Sequence, residues 1–121
     1  MILGLRTCIY SVPNLREAIA WYNRAFQVEP YFNESFYAGY SVGGYELGLI
    51  PVETETQVKG HPAITYWGVD NVEKEYQHFI SLGAKPIEEP THVGGDIVVA
   101  SVRDPWGNAI GLIYNPEFEA K

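Results

Sequence analysis

Apolar positions in this chain alternate with period two in some stretches and recur every three to four residues in others. Near residues 3–11 and again near 63–69, strict alternation predicts a strand buried on one face. The spacing then changes. Leu15, Ile19, Tyr22 and Phe26 fall on one helical stripe, and Val72, Tyr76, Phe79 and Ile80 on a second. Asn14 and Asn71 stand at the two helix starts, each with a side-chain oxygen for an unpaired N–H of the first turn. Glu17 follows Asn14 by three residues and Glu73 follows Asp70 by three, the spacing of a capping box. Gly83 suits the left-handed position just beyond the second helix.

The two halves are copies of one pattern. Val12, Asn14, Leu15 and Tyr22 are matched by Val69, Asn71, Val72 and Phe79, each 57 positions later. Leu47-Gly48-Leu49-Ile50 is echoed by Ile110-Gly111-Leu112-Ile113. Each helix is followed by short strands, around 30–33, 36–42 and 45–50 in the first half and 85–88, 96–103 and 109–114 in the second. Gly43-Gly44 and Asp104-Pro105-Trp106-Gly107-Asn108 supply the hairpin turns, because glycine and asparagine accept a positive φ and proline presets the first turn dihedral. The polar stretch Pro51–His61 shows no periodicity and joins the halves. The chain therefore reads as a single α+β domain of two βαβββ modules: module one about 1–52, a linker about 53–61, module two about 62–115 and a tail 116–121.

Composition narrows the function more than the fold. A chain of 121 residues with 46% hydrophobic and 19% charged residues has room for one ordinary domain and needs no disulfide or metal to hold it together. One cysteine, Cys8, excludes a disulfide scaffold and any multi-cysteine metal site. A net charge of −7 repels phosphate backbones, so nucleic acid is not an expected partner. No apolar run is long enough for a membrane span, and the N-terminus lacks a secretory pattern, so the expected location is the cytoplasm with no membrane partner. Aromatic residues make up 14% of the chain, a surplus that either fills the core or lines a pocket for a flat ligand.

The Val12-Pro13-Asn14-Leu15 helix start with Trp21-Tyr22 inside it, the Asp104-Pro105-Trp106-Gly107-Asn108 turn before the last strand, and the internal repeat together resemble the vicinal oxygen chelate superfamily. That superfamily includes glyoxalase I, extradiol dioxygenases and the bleomycin-resistance proteins. The resemblance covers nearly the whole chain. It implies two modules whose sheets form an open barrel around a central cleft, commonly in a homodimer.

In the enzymes of this superfamily, His, Glu or Gln side chains on the first and last strands of each module hold a divalent metal that acts as a Lewis acid. Carried over by local pattern, those positions fall on Thr7, Gly48, Ile64 and Gly111. Isoleucine and glycine offer no donor atom. Strand side chains alternate, so only residues two away share the same face; these include Glu46, but otherwise Leu5, Pro62, Ala109 and Ile113. His61 takes the opposite parity. One carboxylate does not make a transition-metal site, so no metal and no other cofactor is expected.

The resemblance then points to the metal-free, bleomycin-resistance-like members. A glycine within a strand costs about 0.5–1 kcal/mol relative to alanine; a lone one reads first as a bulge or close packing, whereas two at repeat-related positions that the mapping points into the cleft are expected to widen a cavity. By alternation the expected ligand-binding residues are Thr7, Ile9, Glu46, Gly48, Ile50, Ile64, Tyr66 and Gly111. Trp106, in a turn where it either caps the cleft or packs in a dimer contact, joins them, as do Tyr37 and Tyr40 from an aromatic cluster that also holds Tyr31, Phe32 and Phe36 and is divided between core packing and the cleft wall. Tyr10, Trp67 and Cys8 take the other parity, toward the helices. His92 is expected in a loop before Gly94-Gly95. The expected activity is metal-independent binding of a small aromatic or cationic molecule, antibiotic or toxin sequestration being one form, with no catalytic residue assigned. The competing reading is a metal-dependent lyase, isomerase or dioxygenase with displaced ligands.

Overall fold

The computed structural model describes residues 1, 3, 5–52 and 64–116. The linker at 53–61, His61, Pro62 and the tail from 117 onward lie outside the described residues. The chain divides into two compact units, residues 1–59 and 60–121.

In unit 1, β1 (Thr7–Val12) leads into α1 (Leu15–Phe26), followed by β2 (Phe32–Glu34), β3 (Tyr37–Val42) and β4 (Tyr45–Pro51). The four strands form one sheet in the order β1-β4-β3-β2, with β1 and β4 parallel and the other pairs antiparallel. Unit 2 repeats the pattern with β5 (Thr65–Gly68), α2 (Val72–Ser81), β6 (Lys85–Gly94), β7 (Ile97–Arg103) and β8 (Ala109–Tyr114), in the order β5-β8-β7-β6. Each unit is thus one βαβββ module with a helix on one face of its sheet.

Each helix starts where an asparagine takes an orphan donor. Oδ1 of Asn14 accepts from the N–H of Glu17 at 3.1 Å, and Oδ1 of Asn71 accepts from the N–H of Lys74 at 3.0 Å. The second cap corrects the expected box at Asp70: with Asn71 as the cap, the third helical residue is Lys74, and Glu73 cannot fill that role. Helix α1 ends on Gln27, which takes the left-handed conformation without being glycine (φ 57°), while Gly83 takes it after α2 (φ 95°).

The buried stripe of α1 is Leu15, Ala18, Trp21, Tyr22 and Ala25, turned by about one position from the Leu15–Ile19–Tyr22–Phe26 line. Ile19 and Phe26 are only half-buried. The alanines are too short to register as a hydrophobic stripe, yet their shortness lets the helix lie close to the sheet. Tyr10, Val12, Ala38, Tyr40, Leu47 and Leu49 face it to complete the core of unit 1. In unit 2 Val72, Tyr76 and Phe79 of α2 meet Ala100, Val102, Ile110 and Leu112. Strand β1 begins at Thr7 rather than near Leu3, because Glu46 at the head of β4 pairs with Thr7 and leaves Leu3 and Leu5 exposed.

Candidate functional site

The sheet face of unit 1 turned away from α1 gathers a cluster of polar and aromatic side chains. The Gly43-Gly44 turn sets the β3–β4 register, pairing Ser41 with Glu46 and Gly39 with Gly48. On the other side β4 pairs Glu46 with Thr7 and Gly48 with Ile9. Two glycines side by side leave a floor without side chains in the middle of the sheet, and neighbouring groups lie down on it. A Cβ at residue 48 would stand 2.9 Å from Cε1 and Cζ of Tyr37. A Cβ at residue 39 would stand 2.9 Å from Oε2 of Glu46, 3.1 Å from Cε2 of Tyr37 and 3.2 Å from Cε1 of Tyr31. The cavity expected beside Gly48 is therefore corrected: the glycine makes room for the phenol ring of Tyr37.

Glu46 is the hub of this cluster. Its Oε1 accepts from the Thr7 hydroxyl at 3.0 Å, its Oε2 accepts from the Tyr31 hydroxyl, and the Tyr37 hydroxyl donates to the same carboxylate. The Tyr31 bond above all, then those of Tyr37 and Thr7, hold the carboxyl below the usual carboxylate range, against a partial desolvation that pushes it up. The phenols move the opposite way. Tyr37 is pushed up to about 12, first by desolvation and then by its bond to Glu46 and that group's charge. Tyr31 is raised chiefly by its bond to Glu46. Near neutral pH the site is thus an anion fixed by three hydroxyls that keep their protons. It opens on a shallow hollow of about 460 Å³ bordered by Arg6, Thr7, Tyr31, Ser41, Tyr45 and Glu46.

Aromatic surface extends from the hub. The rings of Phe32 and Tyr37 are 6.1 Å apart and those of Phe32 and Phe36 are 6.0 Å apart, and Tyr31 and Phe36 are both about two-thirds exposed (65% and 64%). Ile9 shares the sheet face with Gly48 and is exposed, while Ile50 is half-buried. Tyr40 also borders the hollow, but its side chain turns away from the Glu46 cluster. It pairs with Leu47 on the helix side, is fully buried, and donates its hydroxyl to Oδ1 of Asn23 at 2.8 Å and to the Ile19 carbonyl at 3.3 Å.

Unit 2 shows the same device with different parts. Tyr66 pairs with Gly111, and a Cβ at residue 111 would stand 2.5 Å from Cδ1 of Tyr66. Here the Tyr66 ring together with the Thr65 carbonyl oxygen, 2.9 Å from that Cβ, explains the glycine. In unit 1 the covering tyrosine comes from the antiparallel neighbour β3, in unit 2 from the parallel neighbour β5. Ile64, just before β5, is partly exposed at its surface. Trp106 sits in a turn built on Asp104, whose buried carboxylate accepts from the N–H groups of Trp106 and Asn108 at 2.9 and 2.8 Å and from Nδ2 of Asn108 at 2.9 Å. Gly107 supplies the positive φ (96°) that closes this turn. His92 lies within strand β6, opposite Val98, and not in a loop.

Gly39 and Tyr31 are the residues that strand alternation passed over. The signal for Gly39 was present: a two-residue turn at Gly43-Gly44 forces residue 39 opposite residue 48.

A family model for the Glyoxalase/Bleomycin resistance protein/Dioxygenase superfamily matches residues 4–112. The chain belongs to this superfamily. Solved glyoxalase-fold structures agree. A glyoxalase-related enzyme from Fulvimarina pelagi superposes with a TM-score of 0.81 at 14% identity, covering 99% of this chain and 94% of that one. A glyoxalase/bleomycin resistance protein/dioxygenase family enzyme from Burkholderia phytofirmans PsJN gives 0.77 at 19% identity, covering 92% and 98%. A glyoxalase/bleomycin resistance protein from Albidiferax ferrireducens T118 gives 0.71 at 16%, covering 92% and 98%. No curated protein matches at a significant level.

Members of the glyoxalase superfamily bind small molecules, and its enzymes do so through a chelated metal. Among the described residues, those at the positions carried over do not fit that group. Of the four positions carried over, Gly48 and Gly111 have a tyrosine ring where a chelating side chain would stand, and Ile64 has no donor. Among the described residues, no three His, Cys, Asp or Glu side chains are grouped so as to hold an ion. Glu46 already takes three hydroxyl donors. Among the described residues, no helix is long and apolar enough to cross a membrane.

Proposed function

We propose that this glyoxalase-superfamily chain is a metal-independent binding protein for a small aromatic or cationic molecule. The observation that carries the reading is the Thr7–Tyr31–Tyr37–Glu46 cluster: an ionised carboxylate beside exposed phenol and phenyl rings, at the edge of an open hollow. An anion attracts a positive charge, and an aromatic face holds a planar or cationic group for about 0.5–1.5 kcal/mol per ring. The overall charge of −7 favours the approach of cations from a distance. In unit 2, Ile64, Tyr66 and Trp106 supply apolar and aromatic surface of the same kind. Sequestration of a toxic or antibiotic compound in the cytoplasm is the form of binding this reading favours. A homodimer goes with it, supported by the exposed Leu5, Phe36 and Val93 side chains.

Calorimetric titration with a panel of planar cations, with amide-resolved NMR to map the contacts, tests the binding. Saturable binding that perturbs residues 7, 31, 37 and 46 is expected. Titration with Ni²⁺, Zn²⁺ and Mn²⁺ tests the other half of the claim, and one tightly held metal ion per chain would overturn it. Sedimentation equilibrium reads the subunit number directly.

A further inference from the structure

The hydrogen-bond inventory of Glu46 goes one step further, resting on the small-molecule reading above. A carboxylate has about four acceptor positions on its two oxygens. Thr7, Tyr31 and Tyr37 fill three of them, each with a hydroxyl that retains its proton. One position remains, and the carboxylate carrying it borders the hollow. Arg6 borders the same hollow with its Nη1 bonded to the Leu5 carbonyl at 3.3 Å, so a second positive charge on a ligand meets repulsion there.

We propose that this remaining acceptor takes an N–H from an aryl-ammonium monocation, a protonated primary or secondary amine carrying an aromatic ring, and that the site discriminates against the corresponding quaternary ammonium. The ammonium places its charge and one N–H on Glu46, and its ring meets the exposed face of Tyr31, which borders the same hollow. Because the hollow is open, the other N–H groups stay hydrated and their desolvation costs little. A quaternary nitrogen has no N–H to give, and its methyl groups hold the charge further from the carboxylate. An ammonium–carboxylate hydrogen bond is of the strong, charge-assisted kind.

Three probes of one skeleton separate the contributions: phenethylammonium, phenethyltrimethylammonium and phenethyl alcohol. Calorimetry on the whole chain should show phenethylammonium binding about tenfold more tightly than the trimethyl compound, the scale of one charge-assisted bond. In Glu46→Gln, phenethylammonium should fall to the affinity of the alcohol. Tyr31→Phe provides the check that does not depend on that variant folding. It keeps the carboxylate and frees a second acceptor, so the preference for the N–H compound should persist or grow. Equal or tighter binding of the trimethyl compound by the unsubstituted protein, or loss of the preference in Tyr31→Phe, overturns this inference and leaves the binding reading standing. Failure of all three probes to bind overturns both.

Discussion

The phenol ring of Tyr37 occupies the space that a side chain at Gly48 would take. The glycine and the tyrosine are therefore one structural unit, and substitution of the first is felt by the second. Gly48→Ala should destabilise unit 1 by about 1–3 kcal/mol, the usual cost of forcing extra carbon into a packed site. Chemical denaturation measures it. Gly68→Ala is the control, since nothing lies within 4 Å of a Cβ there; its effect should stay within about 1 kcal/mol of zero, on the stabilising side. Gly48→Ala combined with Tyr37→Ala should cost less than the sum of the two single changes, because the clash needs both partners.

Asp104 is a buried carboxylate with a full set of donors from its own turn. Asp104→Ala leaves the N–H groups of Trp106 and Asn108 without that acceptor and should cost about 2–3 kcal/mol, with Asp104→Asn intermediate because it keeps one acceptor oxygen. The loss appears in the denaturation midpoint of each variant. The emission of Trp106 should move toward that of solvent-exposed indole as its turn loosens.

The fold was legible from the chain because both modules repeat the same alternation of periods, and every element except β6, which runs six residues past its expected end to Gly94, lies within a few residues of its expected place. Strand parity correctly put Tyr10 on the helix side, where it stacks on Tyr22 with centroids 6.1 Å apart. Parity could also have separated Tyr37 from Tyr40, three residues apart on one strand and hence on opposite faces; an aromatic cluster read as a unit hid that distinction. The filled space over Gly48 and Gly111 was not legible. A missing side chain says that something comes close, but a cavity, a backbone and a neighbouring ring all leave the same glycine. The hub at Glu46 was half visible: its face followed from alternation, but its bond to Tyr31 depends on how the chain bends ahead of β2.

The opposed shifts of Glu46 and its phenols give the protein a two-sided pH dependence. Glu46 titrates below its ordinary 4.5 in the folded chain, so its contribution to stability is present above that value and is lost as pH falls through the lowered one. Tyr37 is raised from 10.0 to about 12, so the folded state keeps a proton that the unfolded state loses, and stability declines as pH rises from about 10 to about 12. Denaturation midpoints measured across pH should fall at both ends. In Glu46→Gln the acid limb should shrink, and ultraviolet titration of tyrosinate should find Tyr31 and Tyr37 ionising at lower pH. Unchanged phenol titration in that variant would contradict the proposed hub.

Tyr37 and Tyr40 lie on opposite faces of the same strand, and removal of each hydroxyl should separate site electrostatics from core stability. Tyr40→Phe deletes the bonds to Asn23 and the Ile19 carbonyl between sheet and helix. It should cost about 0.5–1.5 kcal/mol while the side-chain carboxyl carbon of Glu46, followed by NMR, titrates as before. Tyr37→Phe removes one of the donors to Glu46, so the carboxyl should titrate closer to its ordinary value. Its stability cost should be smaller than that of Tyr40→Phe, because the Tyr37 hydroxyl is nearer to solvent and the vacated acceptor is open to water. A Glu46 titration that shifts with Tyr40→Phe and stays fixed with Tyr37→Phe would reverse the assignment of the two faces.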